Sequence, residues 1–180
     1  TAIFLRGGET GAAISADVLV LQDAGASGSQ PRLRAPVNAK GNEESFLPVE
    51  ARFVRFTIEA SSSGQPCLDE LEIWSGETNV ALGGKPTSSG DFPNNVSHKL
   101  VHLNDGHYGN GHSWISNTPG KGWAMIELKT PTAIDRITWA RDREGKYSDR
   151  LATRYRIEVA KDAQGPWKTV ASSEGRAPVG

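Results

Sequence analysis

A period-two alternation, repeated in short runs between turn signals, constrains the fold more than any other feature of this chain. Over 52–59, Val54, Phe56 and Ile58 fall on one face. Over 123–128 the same holds for Ala124, Ile126 and Leu128, and over 134–139 for Ile137 and Trp139. Over 154–159, Tyr155, Ile157 and Val159 share a face, with Arg154, Arg156 and Glu158 opposite. Side chains alternate across a strand, so each run is a strand with one buried face. Residues 17–21 and 69–74 read as further strands. Clusters rich in Gly and Ser separate the runs at 25–28, 61–64, 83–84, 120–122 and 162–165. No long segment carries a helical period, and 9–16 holds a helical turn at most. Twenty glycines and ten prolines also favour turns over long helices. Short strands divided by such turns predict an all-β fold, an antiparallel β-sandwich.

The 180 residues fit one domain of ordinary size, and 37% hydrophobic residues are enough for a core. A net charge of −1 leaves no electrostatic footprint for nucleic acid or an anionic membrane. No apolar run approaches the ~18 residues of a membrane span. The first residues are neither basic enough nor apolar for long enough to be a signal peptide, and the chain reads as a piece of a larger, multidomain protein. The lone Cys67 excludes an internal disulfide framework and is expected to be a small half-buried residue beside a strand.

Residues 98–114 hold all four histidines, an Asn-Asp-Gly turn and two aromatics. A segment so polar and so interrupted by glycine cannot be a packed helix or strand throughout. It is a site, or a loop held by something, and a bound cation is the obvious candidate. His98 and His102 are four apart, the spacing of a helical zinc-binding pair. No HExxH pattern accompanies them, no cysteine is near, and His102, His107 and His112 lie among turn residues. The sequence therefore favours imidazoles that line a polar surface or bond to carbonyls over a transition-metal site.

From Asn79 onward the chain resembles the discoidin, or coagulation-factor type C, family of galactose-binding-like β-sandwiches (jelly rolls). The matching pieces are 79–89, Leu103 to Gly106 followed by Ser113 and Trp114, then 122–128, 134–139, and 155–162 with Trp167. Two segments resembling that family's closing strands, 51–58 and 68–74, come before the opening rather than after it. Either they close the same sandwich in circularly permuted order, or they are the tail of a truncated upstream domain. One permuted sandwich over 1–180 is the expectation, because an unclosed sheet would leave edge strands and core side chains exposed. In it 50–76 supply the closing strands, 79–171 the opening and central strands, and 1–49 a flank or extra strands.

The resemblance implies a structural Ca2+ in the loop after the Asp-Gly turn. A hard cation takes several oxygens from a flexible loop. Asp105 and Ser113 match the family's ligands there, and Glu70 matches the glutamate of the closing strand. Carbonyls of Leu103, Tyr108 and Asn110 would complete the shell. The resemblance to family 32 carbohydrate-binding modules also implies a sugar site in the loop 141–150, with Arg141, Arg143 and Tyr147 as ligands. His107, Tyr108 and Asn117 would approach from neighbouring loops. Arginine suits the task because its planar donors fork onto vicinal hydroxyls. Ile115 stands where many galactose-binding members place a histidine after the Trp, which counts against galactose itself. Trp114 and Trp123 are expected in the core.

Nothing points to catalysis. There is no Gly-x-Ser-x-Gly elbow and no phosphate loop, and Asp142 and Glu144, two apart among basic neighbours, read as surface charge. The expected function is noncatalytic glycan or polysaccharide binding that anchors a larger secreted or cell-surface protein, bacterial extracellular or periplasmic. The competing expectation is a protein-interaction or structural domain of the same fold, without a sugar site, packed on a catalytic neighbour.

Overall fold

The computed structural model describes residues 33–179. The strand expected at 17–21, the turn at 25–28 and the helical turn at 9–16 lie outside the described residues. Within them the architecture is all-β and antiparallel, as the alternation predicts. The strands are β1 (Asn42–Ser61), β2 (Cys67–Leu68), β3 (Glu70–Ser75), β4 (Thr78–Asn79), β5 (Lys85–Ser88), β6 (Trp114–Ile115), β7 (Gly122–Ala140), β8 (Ala152–Ala160) and β9 (Lys168–Ser172). One 3-10 turn, Leu100–Asn104, lies between β5 and β6.

The long strands β1 and β7 organise the sheet. They run antiparallel from Asn42 opposite Trp139 to Ile58 opposite Gly122. Along 124–127, β7 is flanked by β1 and β5; along 136–139 it is flanked by β1 and β3. β8 adds to the later half of β1, and β9 to β8. Within 50–76, β1 and β3 are thus hydrogen-bonded into the same sheet as β7 and β8, while β2 pairs with β6 in a separate two-stranded sheet. β1 starts at Asn42 and runs unbroken past residue 50.

Two bulges let these strands change course. The register shifts between Ser45 and Val49, and again between Ala51 and Phe53. Pro48 lies in the first shift, and Pro131 lies opposite the second, between Thr132 and Glu127 in the pairing. Proline donates no ladder hydrogen bond, so bulges are where a sheet tolerates it. Arg52 fills the second bulge. Its Nη1 donates to the Lys129 carbonyl at 2.7 Å and its Nη2 to Glu127 Oε1 at 2.8 Å.

The buried faces are those read from the alternation. Val54, Phe56, Ile58, Ala124, Ile126, Leu128, Ile137, Trp139, Tyr155, Ile157 and Val159 are all buried in one core. At its centre Phe56, Trp139 and Tyr155 meet with ring centroids 5.0–5.1 Å apart, one pair stacked and two edge-on. Such aromatic pairs add about 0.5–1.5 kcal/mol each beyond the area they bury. Trp114 is in the core, with Nε1 donating to Asp91 Oδ1 at 2.8 Å. Trp123 is not. It is half-buried on the outer face of β7, one residue out of phase with Ala124 and Ile126. Cys67 is fully buried rather than half-buried, and burial pushes its thiol up to about 11.

Candidate functional site

The start of β3 places three carboxylates under the loop 105–113. Leu71 and Ile73 point into the core, so Glu70 and Glu72 share the opposite face. That face is covered by the loop, and all three acids, Asp69, Glu70 and Glu72, are buried. Asp69 Oδ2 accepts from the Gly109 amide at 3.2 Å and the Arg143 amide at 2.5 Å. Glu70 Oε1 accepts from the Gly106 amide at 3.0 Å. Glu72 accepts from Tyr108 Oη at 2.9 Å, Thr138 Oγ1 at 2.5 Å and Arg143 Nη1 at 2.9 Å.

The three carboxyls differ electrostatically. Burial pushes Glu70 up to about 8, outweighing the Gly106 amide and reinforced by the charges of Asp105, Glu72 and Asp69. Burial also raises Asp69, against the Arg143 and Gly109 amides. In Glu72 the burial cost is overcome by the hydrogen bonds from Thr138 and Tyr108 and the Arg143 charge, which hold it below the usual range. One oxygen each of Asp69 and Glu70 is buried with no hydrogen-bond partner among the described residues.

The expected sugar ligands separate into two groups. Arg143 and Tyr108 come together: the guanidinium lies 4.2 Å over the phenol ring, a cation–π distance, while Glu72 anchors both. Tyr108 and Tyr147 are exposed at the surface. The loop 141–150 touches the loop 105–113 directly: a Cβ on Gly109 would lie 2.6 Å from Glu144 Cδ, and the φ of +93 is in any case a conformation that favours glycine. His107 stacks on His112 with centroids 5.1 Å apart. Asn117 lies instead against Gly90 and accepts from Thr118 Oγ1 at 2.9 Å.

Arg141 corrects the sequence expectation. It is 2% exposed, and its donors are taken by the Asp149 carbonyl and carboxylate, by Asn110 Oδ1 at 2.9 Å and by Cys67 Sγ at 3.3 Å. It braces two loops from beneath and presents nothing to a ligand. Asp142 is likewise no surface charge. It is buried, with Oδ2 accepting from the Tyr147 amide at 2.7 Å.

The expected calcium ligands assemble only in part. Glu70 returns from β3 to the Gly106 turn, beside Asp105, and its free Oε2 suits a cation. Ser113 Oγ, however, donates to the Asn110 carbonyl at 2.9 Å and pairs with His98 Nδ1 at 2.7 Å. Of the three expected carbonyls, that of Asn110 is thereby engaged by Ser113. Asp105 accepts from the His107 amide at 2.9 Å, and its oxygens lie 3.4 Å from the Nδ1 atoms of His107 and His112.

Neither protein-family models, curated proteins nor solved structures match this chain.

Three residues central to this site carry no local signal of it. Asp69 and Glu72 look like the polar half of an ordinary strand, and only the loop folded over them makes them anchors. Asn110 is expected to offer only its carbonyl, yet its side-chain Oδ1 accepts from Arg141.

Proposed function

We propose that this domain is a noncatalytic carbohydrate-binding module of discoidin-like β-sandwich type, taking a glycan on the surface formed by Tyr108, Arg143 and Tyr147. The observation that carries this reading is the Arg143 guanidinium stacked on Tyr108 and fixed by Glu72. An aromatic face suits the C–H face of a sugar ring, and a preoriented planar donor suits its hydroxyls. Anchoring is the mechanism: a weak site gains from attachment to a larger extracellular protein through effective concentration. The test is retention on a glycan array and in polysaccharide affinity gels. Arg143→Ala and Tyr108→Ala should each weaken binding at least about tenfold, the size of one lost charge-assisted hydrogen bond or stacking contact. If the unsubstituted protein is retained by no polysaccharide, the module binds a protein instead.

The same reading includes a structural Ca2+ at the Gly106 turn. What supports it is Glu70, fully buried with Oε2 unpartnered. Metal-free protein should melt about 5 °C higher once CaCl2 is added in large excess over its dissociation constant, because the ligand binds only the folded state. Glu70→Gln should abolish that rise. An unchanged melting temperature in the parent protein would remove calcium from the reading.

A further inference from the structure

Three of the four histidines surround one carboxylate. His102 sits in the 3-10 turn, Asp105 caps the end of that turn, and His112 follows at the far end of the loop. One ligand atom from each of these three residues lies within 4.8 Å of the other two. The rings of His102 and His112 are 5.0 Å apart. Backbone turns hold the arrangement: the His102 amide donates to the Lys99 carbonyl at 3.0 Å, and the His112 amide to the Gly109 carbonyl at 2.9 Å. Asp105 Oδ1 is fixed by the His107 amide.

We propose that His102, Asp105 and His112 form a binding site for a borderline divalent transition metal of the Zn2+ class. Two imidazoles and a carboxylate are the donor set such ions prefer, whereas calcium prefers oxygen alone. His102 is prepared for the role. Its Nδ1 meets the Ser97 carbonyl at 3.1 Å, so that nitrogen carries the proton and Nε2 keeps its lone pair for a metal. A tetrahedral shell with bonds of about 2.1 Å has ligand atoms about 3.4 Å apart, so the trio must draw in slightly. His112, with 48% of its side chain exposed, is free to swing. His107, its Nδ1 3.4 Å from Asp105 Oδ1, stands next to the open position. The ion would tie the far end of the loop to the 3-10 turn. The site shares the loop 105–113 with the glycan surface but uses none of Tyr108, Arg143 and Tyr147; it differs from the calcium site in using imidazoles, and Asp105 alone is common to those two metal sites.

The test is calorimetric titration of the metal-free 180-residue chain with ZnCl2 and, separately, CaCl2. One equivalent of Zn2+ should bind, and His102→Gln and His112→Gln should each weaken it at least tenfold while leaving the response to CaCl2 unchanged. Ring resonances in the unsubstituted protein serve as a second readout that needs no variant. On adding Zn2+, those of His102 and His112 should shift and those of His98 should not. Absence of saturable Zn2+ binding, binding that survives both substitutions, or shifts centred on His98 would each overturn the site.

Discussion

Asp69→Ala should destabilise the domain by about 3 kcal/mol and loosen both loops of the glycan surface at once. The Asp69 carboxylate accepts backbone amides from both the loop 105–113 and the loop 141–150, those of Gly109 and Arg143, where Glu72 reaches the same loops only through their side chains. Hydrogen bonds to a charged acceptor contribute about 1.5–3 kcal/mol each, and removing the acceptor leaves two amides in a water-poor junction. The loss is moderated because Asp69 is itself buried and carries an unpartnered Oδ1. For a domain of this size about 3 kcal/mol corresponds to roughly 10 °C in melting temperature. Asp69→Asn keeps one acceptor oxygen and should cost less. Hydrogen exchange supplies the local readout: the amides of Gly109 and Arg143 should exchange faster in Asp69→Ala, while those of β1 and β8 follow only the global change. A melting point within 2 °C of the parent, with both amides still protected, would show that the loops are held by something else.

Asp69 also shows where reading the sequence stops. The strands were legible because burial on a sheet repeats every second residue: Val54, Phe56 and Ile58 need no partner to declare their face. The continuity of β1 and β7 was not: the alternation marks 52–59 alone, and 123–128 and 134–139 as separate runs, and only pairing with the opposing strand carries each strand through its irregular stretch, at Pro48 and at Pro131. The loop 98–114 was legible as a site because its composition cannot pack. Which of its residues cooperate was not. Asp105 was matched to an oxygen shell with Ser113, but the fold directs Ser113 to Asn110 and His98, and brings imidazoles to Asp105 instead. Arg141 misled for the same reason. A charged side chain in a loop is ordinarily solvated, and its burial depends on Asp149, Asn110 and Cys67 converging from three separate segments. Pairwise chemistry across long sequence separation leaves no periodic trace.

Glu44→Ala should be the most damaging polar substitution, at about 3–5 kcal/mol. Glu44 lies on β1 with 3% exposure, and its carboxylate collects Arg34 Nη1 at 2.7 Å, Arg176 Nη2 at 2.6 Å and the Tyr155 hydroxyl. It thereby joins β1 and β8 to the segments around Arg34 and Arg176, which are themselves paired through Arg34 and the backbone of Gly175 and Ala177. Removing one member of a buried ionic cluster costs far more than the cluster contributes over an apolar filling, because the remaining charges stay where water cannot reach them. Here a 10%-exposed Arg176 guanidinium and the buried Tyr155 hydroxyl would lose their shared acceptor. Glu44→Gln preserves the shape but turns an amide donor toward an arginine, so it should fall between the parent and Glu44→Ala. The alkaline limb of the stability curve gives a second check. Burial, reinforced by the Glu44 hydrogen bond and charge, raises the Tyr155 hydroxyl above its ordinary value of 10.0. The folded state then keeps a proton that the unfolded chain releases near pH 10, so stability should fall as the pH rises beyond that point. Without Glu44 the charge and hydrogen bond that favour the protonated phenol are gone, and ultraviolet titration should show Tyr155 ionising at lower pH than in the parent. If Glu44→Ala unfolds in urea within 1 kcal/mol of the parent and Tyr155 ionises unchanged, the cluster is a surface arrangement that solvent already screens.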